Sequence, residues 1–257
     1  MPGAEAFARL DADWPAPPRV RAFTTLRTGP GVSRAPCDAF NLGLRCGDDP
    51  LAAQANRDAL HAAIGTAHAP RWLRQVHGTD VLRVDAEARD GGEEPVADAA
   101  VTSVPGLPLA ILTADCLPVL FAAEDASEIG AAHAGWPGLS AGVLEATLAA
   151  MATPAQKLLV WIGPGAGPSR YEVGENVHAA FVDRDAGAAA HFSPTRPGHW
   201  LADLPALARR RLAAAGVKRV FGGSECTISE PRRWYSYRRD GATGRMASLI
   251  WINPADR

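Results

Sequence analysis

Two imidazoles and one thiol are the side chains best placed to do chemistry in this chain. Cys116 lies between apolar runs in ILTADCLPVLFAA (111–123), directly behind Asp115. His133 stands in EIGAAHAGW (128–136), and His77 in RQVHGTDV (74–81). Thiolate and imidazole both suit Zn²⁺, and three protein ligands leave a fourth tetrahedral position for water or substrate. An ion so held lowers the pKa of bound water toward ~7. The same residues admit a packing thiol, or a nucleophilic Cys116 with His133 or His77 as its base. The gaps between the three match no compact metal motif, so spacing does not choose. Two features favour chemistry over packing. Asp115 places a charge beside the thiol in an apolar context, where an unpaired charge is costly. Ala134 and Gly135 after His133 are small enough for another group to approach the backbone.

These residues must be positioned by a framework of strands and helices. RVRAFTTL (19–26) reads as a first strand, and the Pro/Ala-rich residues 1–18 as a segment draped over the surface. The Gly/Pro/Asp-rich stretch 27–50 is too long for a plain connection, and loops of that length are often functional. A helix follows, with Asp49 as cap, Pro50 in its first turn and Gly65 as terminator. RWLRQVHGTDVLRV (71–84) predicts two strands around a turn at Gly78. Short strands are expected at 97–103, 109–113, 118–123 and 128–135. In 139–151, Leu144, Leu148 and Met151 recur at helical spacing, and KLLVWIG (157–163) is the next strand. Such a strand–helix–strand unit lays its two strands parallel. A helix over 203–216, with Leu204, Leu207, Ala208 and Leu212 on one face, and a last strand over 246–252 complete an α/β chain of mixed sheets. No domain boundary presents itself, so residues 1–257 read as one domain.

Bulk properties narrow the function. The chain has 257 residues, 47% hydrophobic and 21% charged, enough for a large core. A net charge of −2 gives no reason to expect nucleic acid or an anionic membrane as partner. The N-terminus lacks the basic and apolar regions of a secretory signal, and no apolar run is long enough to span a bilayer. Cys37, Cys46, Cys116 and Cys226 form no C-x-x-C and no regular framework, which fits reduced thiols in a cytoplasm. Monomer and homodimer both remain open.

Several motifs occur in order: RQVHGTDV (74–81), ADAAVT (97–102), LAILTADCLPVLF (109–121), IGAAHAGW (129–136), IGPGAGPSRYEVG (162–174) and YSYRRDGATGR (235–245). Together they resemble the YfiH family, whose members have carried the labels laccase-domain and polyphenol oxidase. The resemblance runs from FNLG (40–43) to SLIWI (248–252). It implies a fold shared with cytotoxic-necrotizing-factor-like cysteine hydrolases, with mixed sheets flanked by helices. It implies a zinc site at His77, Cys116 and His133. It also implies phosphorolysis of adenosine, inosine and methylthioadenosine, and deamination of adenosine, with a purine nucleoside and phosphate as partners. The chain departs from the pattern in three places. Pro137 follows H-A-G-W where the family has Arg or Lys, and proline offers neither a charged side chain nor an N–H. Tyr237 replaces the His of S-H-R-R, and GPGVS (29–33) replaces G-G-V-S.

Substrate contacts are expected from the matched stretches. A phosphate dianion calls for arginine, and Arg238 and Arg239 lie in a run that also holds Arg232, Arg233 and Arg245. Arg57 and Asn41 are further candidates, although capping and loop packing explain them equally well. Gln75 faces the same side as His77 if 71–77 is extended. Asp115 is the nearest carboxylate for moving protons, beside Cys116 as the other catalytic candidate. IGPGAGP (162–168) lacks the pattern of a nucleotide loop, and Pro164 and Pro168 remove N–H donors. The functions to separate are therefore a zinc-dependent nucleoside enzyme, a copper-dependent polyphenol oxidase, a metal-free cysteine hydrolase, and a non-enzymatic, zinc-stabilised factor in cell-wall quality control. Cu²⁺ binds most such sites more tightly than Zn²⁺. Yet seven histidines without any H-x-H make a multicopper cluster a poor fit.

Overall fold

A computed structural model describes residues 7–85 and 93–255. In chain order the first elements are β1 (Arg9–Asp11), β2 (Val20–Thr25), α1 (Pro50–Ile64), β3 (Val81–Val84), β4 (Ala99–Thr102), β5 (Leu109–Thr113), β6 (Leu117–Ala123) and β7 (Ile129–Ala134). Then come α2 (Trp136–Ala141), α3 (Val143–Ala150), β8 (Leu158–Ile162), β9 (Glu172–Gly174), α4 (Glu175–Val182), β10 (Phe192–Arg196) and β11 (His199–Ala202). The last are α5 (Leu204–Ala214), β12 (Arg219–Gly222), α6 (Tyr237–Asp240) and β13 (Met246–Ile252).

A six-stranded mixed sheet runs in the order β12-β8-β6-β7-β4-β3, and a four-stranded antiparallel sheet in the order β1-β2-β13-β5. A three-stranded sheet, β10-β11-β9, stands apart. Alternation along β6 builds the layers, because successive strand residues face opposite sides. Leu117, Val119 and Phe121 join Leu144, Phe181 and Leu207 of the helices in one core. Leu120 and Ala122 join Ile111 and Ile250 of the four-stranded sheet in a second core. On that sheet's far side, Phe23, Ala110 and Leu249 pack with Leu60 of α1. The order of layers is therefore α2–α5, six strands, four strands, α1. Each large side chain fully buried in these cores contributes about 1.5–3 kcal/mol relative to exposure.

The capping signals of α1 act as their chemistry dictates. The Asp49 side chain accepts from Leu51 N, Pro50 opens the helix, and Gly65 ends it at φ 63°. The buried face of α1 carries Asn56 and Arg57 between Ala53 and Leu60. Asn56 donates to Ser33 Oγ and to the Ala39 and Asn41 carbonyls, and it accepts from Val32 N. A buried amide thus satisfies the backbone of the long 27–49 connection, which has no sheet partner of its own.

Three expectations need correction. Residues 1–6 lie outside the described part, but the rest of the N-terminal segment does more than drape: Phe7 is buried and β1 adds to the sheet edge at β2. Residues 71–77 form no strand, only isolated bridges at Arg71 and Arg74. The Gln75 amide takes the place of a backbone partner there, donating to Leu112 O and accepting from Leu112 N, each at 2.8 Å. The helix expected over 139–151 is two helices, broken where Gly142 adopts φ 114°. Residues 237–240 form a helical turn. The β7 and β8 strands are parallel as expected, with β6 inserted between them.

Candidate functional site

His133 lies on β7, opposite Pro118 in the ladder with β6, and Cys116 immediately precedes β6. His77 comes from the turn ahead of β3 and adopts φ 62°, a conformation uncommon outside glycine. That conformation turns three successive amides onto one anion. Val76 N, His77 N and Gly78 N donate to the Asp98 carboxylate at 3.1, 2.9 and 2.7 Å. His133 Nδ1 donates to the same group at 2.8 Å, and Asp98 is fully buried. A carboxylate on Nδ1 fixes the tautomer and leaves Nε2 free to ligate. One side chain therefore holds both histidines. Burial alone would raise the pKa of Asp98, but the hydrogen bonds from His133, Gly78 and Val76 and the His133 charge together hold it below the usual carboxylate range.

Small residues let the three groups meet. A methyl group on Gly135 would lie 2.7 Å from His77 Cδ2 and 2.8 Å from Cys116 Sγ. One on Gly138 of α2 would lie 2.8 Å from Gly78 O. The approach expected beside Gly135 is thus made by the other two members of the cluster.

The ligand atoms of His77, Cys116 and His133 all lie within 4.8 Å of one another. Cys116 Sγ is 3.7 Å from His77 Nε2, and the two imidazoles meet edge to face at 4.7 Å. In a tetrahedral zinc site the bond lengths place ligands about 3.4–3.7 Å apart. The donor set and its braced geometry fit one borderline-soft ion with little adjustment. Without an ion, burial works to raise the Cys116 pKa, but the His133 charge and the hydrogen bonds of both histidines lower it to about 6. His133 moves the other way, to about 9, because the Cys116 thiolate and Asp98 outweigh its burial. Cys37 shows the contrast: burial first, then the nearby Cys46 and Asp48, push it up to about 12. Only a thiol of the Cys116 kind is ready to ligate or attack at neutral pH.

Asp115 has another task in the geometry. It adopts φ 93°, and its oxygens accept from Thr227 Oγ1 and Arg238 N, each at 2.6 Å. Its carbonyl accepts from Ala166 N at 2.7 Å. Both carboxylate oxygens are committed to fastening the turn that presents Cys116.

The cluster opens into a cavity of about 470 Å³, within the ~300–1,000 Å³ range of small-molecule sites. Gln75, Thr113 and Tyr237 line it, together with Arg45, Arg74 and Arg245. Of the five residues expected to touch substrate, Gln75 reaches this wall, with its amide already bonded to β5. The structure brings none of the other four to the wall. Asn41 is fully buried and accepts from Gly43 N and Arg245 N. Arg57 donates to Leu42 O and Glu94, 4.1 Å over the Trp72 ring. Arg238 stacks on Tyr171 at 4.6 Å, and Arg239 donates to the Thr227, Ile228 and Trp234 carbonyls. These four brace loops around the site.

The matched motifs now meet their relatives. A family model described as multi-copper polyphenol oxidoreductase laccase matches residues 21–253. The Escherichia coli protein named purine nucleoside phosphorylase YfiH is 47% identical over 93% of this chain and 96% of its own length. The chain belongs to the YfiH family. Another similar relative, a purine nucleoside phosphorylase of Xylella fastidiosa, is 57% identical over 95% of this chain and 96% of its own. Among solved YfiH-type structures, that of the Neisseria meningitidis protein NMB0706 superposes with a TM-score of 0.91. It is 44% identical and covers 96% of this chain and 99% of that one.

Two site features of this YfiH-family chain escape a reading of its motifs. Asp98 lies inside ADAAVT, and its signal is the one that singled out Asp115: a lone carboxylate in an apolar strand must find partners. Arg45 and Arg74 carry no such signal, because exposed arginines are common.

Proposed function

We propose that this chain is a zinc-dependent purine nucleoside phosphorylase that also deaminates adenosine. The observation that carries the proposal is the His77–Cys116–His133 cluster opening into a cavity of small-molecule size. The names of the similar relatives support the nucleoside class. In phosphorolysis a phosphate oxygen bonds to ribose C1′ as the C1′–N9 bond breaks. The electron pair leaves with the purine, which gains a proton, so the products are ribose 1-phosphate and free base. Adenosine, inosine and methylthioadenosine share that bond. A bound zinc ion would supply Lewis acidity to an oxygen or nitrogen of the substrate.

The chain's own residues hold the site in place. Asp98 holds the His133 ring through Nδ1 and the turn at His77 through its backbone amides, so both rings stay in place, and a bound zinc ion would take the position of the His133 Nε2 proton. Cys116 contributes a thiolate at neutral pH. Asp115 is a positioning residue in this scheme, holding the Cys116 turn. Four free thiols fit a reducing compartment such as a cytoplasm, and among the described residues no helix is long and apolar enough to cross a membrane.

The test is product analysis. Zinc-loaded protein and adenosine, with phosphate, should release adenine and ribose 1-phosphate, and without phosphate should release no adenine. Inosine in both conditions would show deamination. No turnover in either, with zinc verified by elemental analysis, sinks the proposal.

A second reading is favoured by one observation. Cys116, His133 and Asp98 form a thiolate–imidazole–carboxylate series, the arrangement of a cysteine hydrolase. Alkylation of Cys116 separates the two: if the metal-loaded protein is alkylated as fast as the metal-free protein, the thiol is a nucleophile and not a ligand. The copper oxidase reading ranks lower. Among the described residues one group of three His, Cys, Asp or Glu lies close enough to hold an ion, whereas multicopper chemistry needs several.

A further inference from the structure

The cavity carries a charge imbalance that the metal cluster does not explain. Three arginines, Arg45, Arg74 and Arg245, line it, and among the described residues no carboxylate does. Arg45 is paired with Glu94 and Arg245 Nη1 donates to the Thr243 and Gly244 carbonyls, but an anion entering the cavity meets three cationic residues and no opposing carboxylate of the described wall.

The arginines are aimed by residues behind them. Gly43 has no side chain, and a methyl there would lie 2.8 Å from Arg245 Cγ, so the Arg245 stem runs across the glycine. Asn41 Oδ1 accepts from both Gly43 N and Arg245 N, at 2.9 and 2.8 Å, which locks the two segments together. Arg45 donates to Glu94, whose other oxygen accepts from buried Arg57 at 2.7 Å. Arg74 is exposed and has no side-chain partner among the described residues, so its guanidinium is available to a ligand.

We propose that Arg45, Arg74 and Arg245 form the subsite for a phosphate group beside the metal cluster. The proposal rests on the nucleoside phosphorylase reading above and deepens it. Arginine supplies planar paired donors that match phosphate oxygens. The phosphate group belongs either to free phosphate or to a nucleotide, and the chemistry recognised is the same.

The test uses metal-loaded full-length protein with labelled inorganic phosphate as probe. Binding is read by equilibrium dialysis, and KM for phosphate and for adenosine is read separately. Arg74→Ala should weaken phosphate binding and raise its KM about tenfold or more, with the KM for adenosine within about twofold. Arg74→Lys should recover part of the loss. Arg245→Ala should act in the same direction, and both variants should keep the wild-type circular dichroism spectrum. AMP as competitor identifies the source: if it displaces phosphate far below the concentration at which phosphate displaces itself, the group belongs to a nucleotide, and either result upholds the subsite. Phosphate binding lost in Arg74→Ala without any phosphorolysis by the wild type would keep the subsite and overturn the activity. Phosphorolysis with a phosphate KM indifferent to both substitutions would overturn the subsite and keep the activity.

Discussion

The two sides of the cavity are built differently. The ligand side rests on the six-stranded sheet: His133 lies within β7, Cys116 leads into β6, and the turn at His77 is tied down by buried Asp98. The arginine side rests on connections: Arg45 from the 27–49 stretch, Arg74 from the bridge segment and Arg245 just before β13. Coordination would tolerate errors of only tenths of an ångström, and its three candidate ligands lie within or directly beside the sheet or are fastened to it through Asp98. Charge recognition tolerates more, and it is assigned to long flexible side chains on braced loops. Substitutions on the ligand side should therefore cost metal affinity, and stability as well where a buried brace is lost, whereas those on the arginine side should leave the fold untouched.

The largest effect should come from Asp98→Ala. It leaves three backbone N–H groups and the His133 ring without their acceptor in a buried place, and unfolding in urea should show a loss of about 3–5 kcal/mol. Wild-type stability would contradict the bracing role. Gly135→Ala comes next. Its methyl would push on the His77 ring and Cys116 Sγ, and competition with a chelating dye should show zinc affinity reduced about 10–100-fold in a folded protein. Unchanged affinity would mean that the cluster can open without cost.

A smaller effect is expected in the pH dependence of the thiol. In metal-free protein the Cys116 pKa is lowered to about 6, so the thiolate prevails above that pH and is protonated below it. Iodoacetamide labelling of Cys116, followed by peptide mass, should therefore be near its plateau at pH 7.5 and fall through pH 6. A rise continuing to pH 9 would show an ordinary thiol. Least of all should be the stability change in Arg74→Ala, within about 0.5 kcal/mol in urea. A larger loss would give Arg74 a structural role and blur the contrast between the two sides.

The sequence carried some of this plainly. The α1 boundaries were legible because Asp49, Pro50 and Gly65 act through local backbone chemistry. His77, Cys116 and His133 stood out by side-chain type and by the family resemblance, and the fold brings the three together. What sequence hides is the long-range partner. Gln75 points the right way but spends its amide on Leu112, which no local pattern reveals. Asn41 and Arg57 admit substrate contact and loop packing equally from sequence, and in the fold both make packing hydrogen bonds one layer behind the wall. Arg57 did give a sign, since helical spacing places it with Ala53 and Leu60 on the buried face of α1. The break at Gly142 was missed because periodicity counts apolar positions and is blind to one residue at positive φ.

The central claim is that one metal ion held by His77, Cys116 and His133 enables the nucleoside chemistry. The most direct measurement is zinc content and phosphate-dependent adenine release on the same samples of wild-type protein, His77→Ala, Cys116→Ala and His133→Ala. The account expects about one zinc per chain and adenine release in the wild type, with both lost together in each variant. Adenine release that survives in a variant emptied of zinc would contradict it.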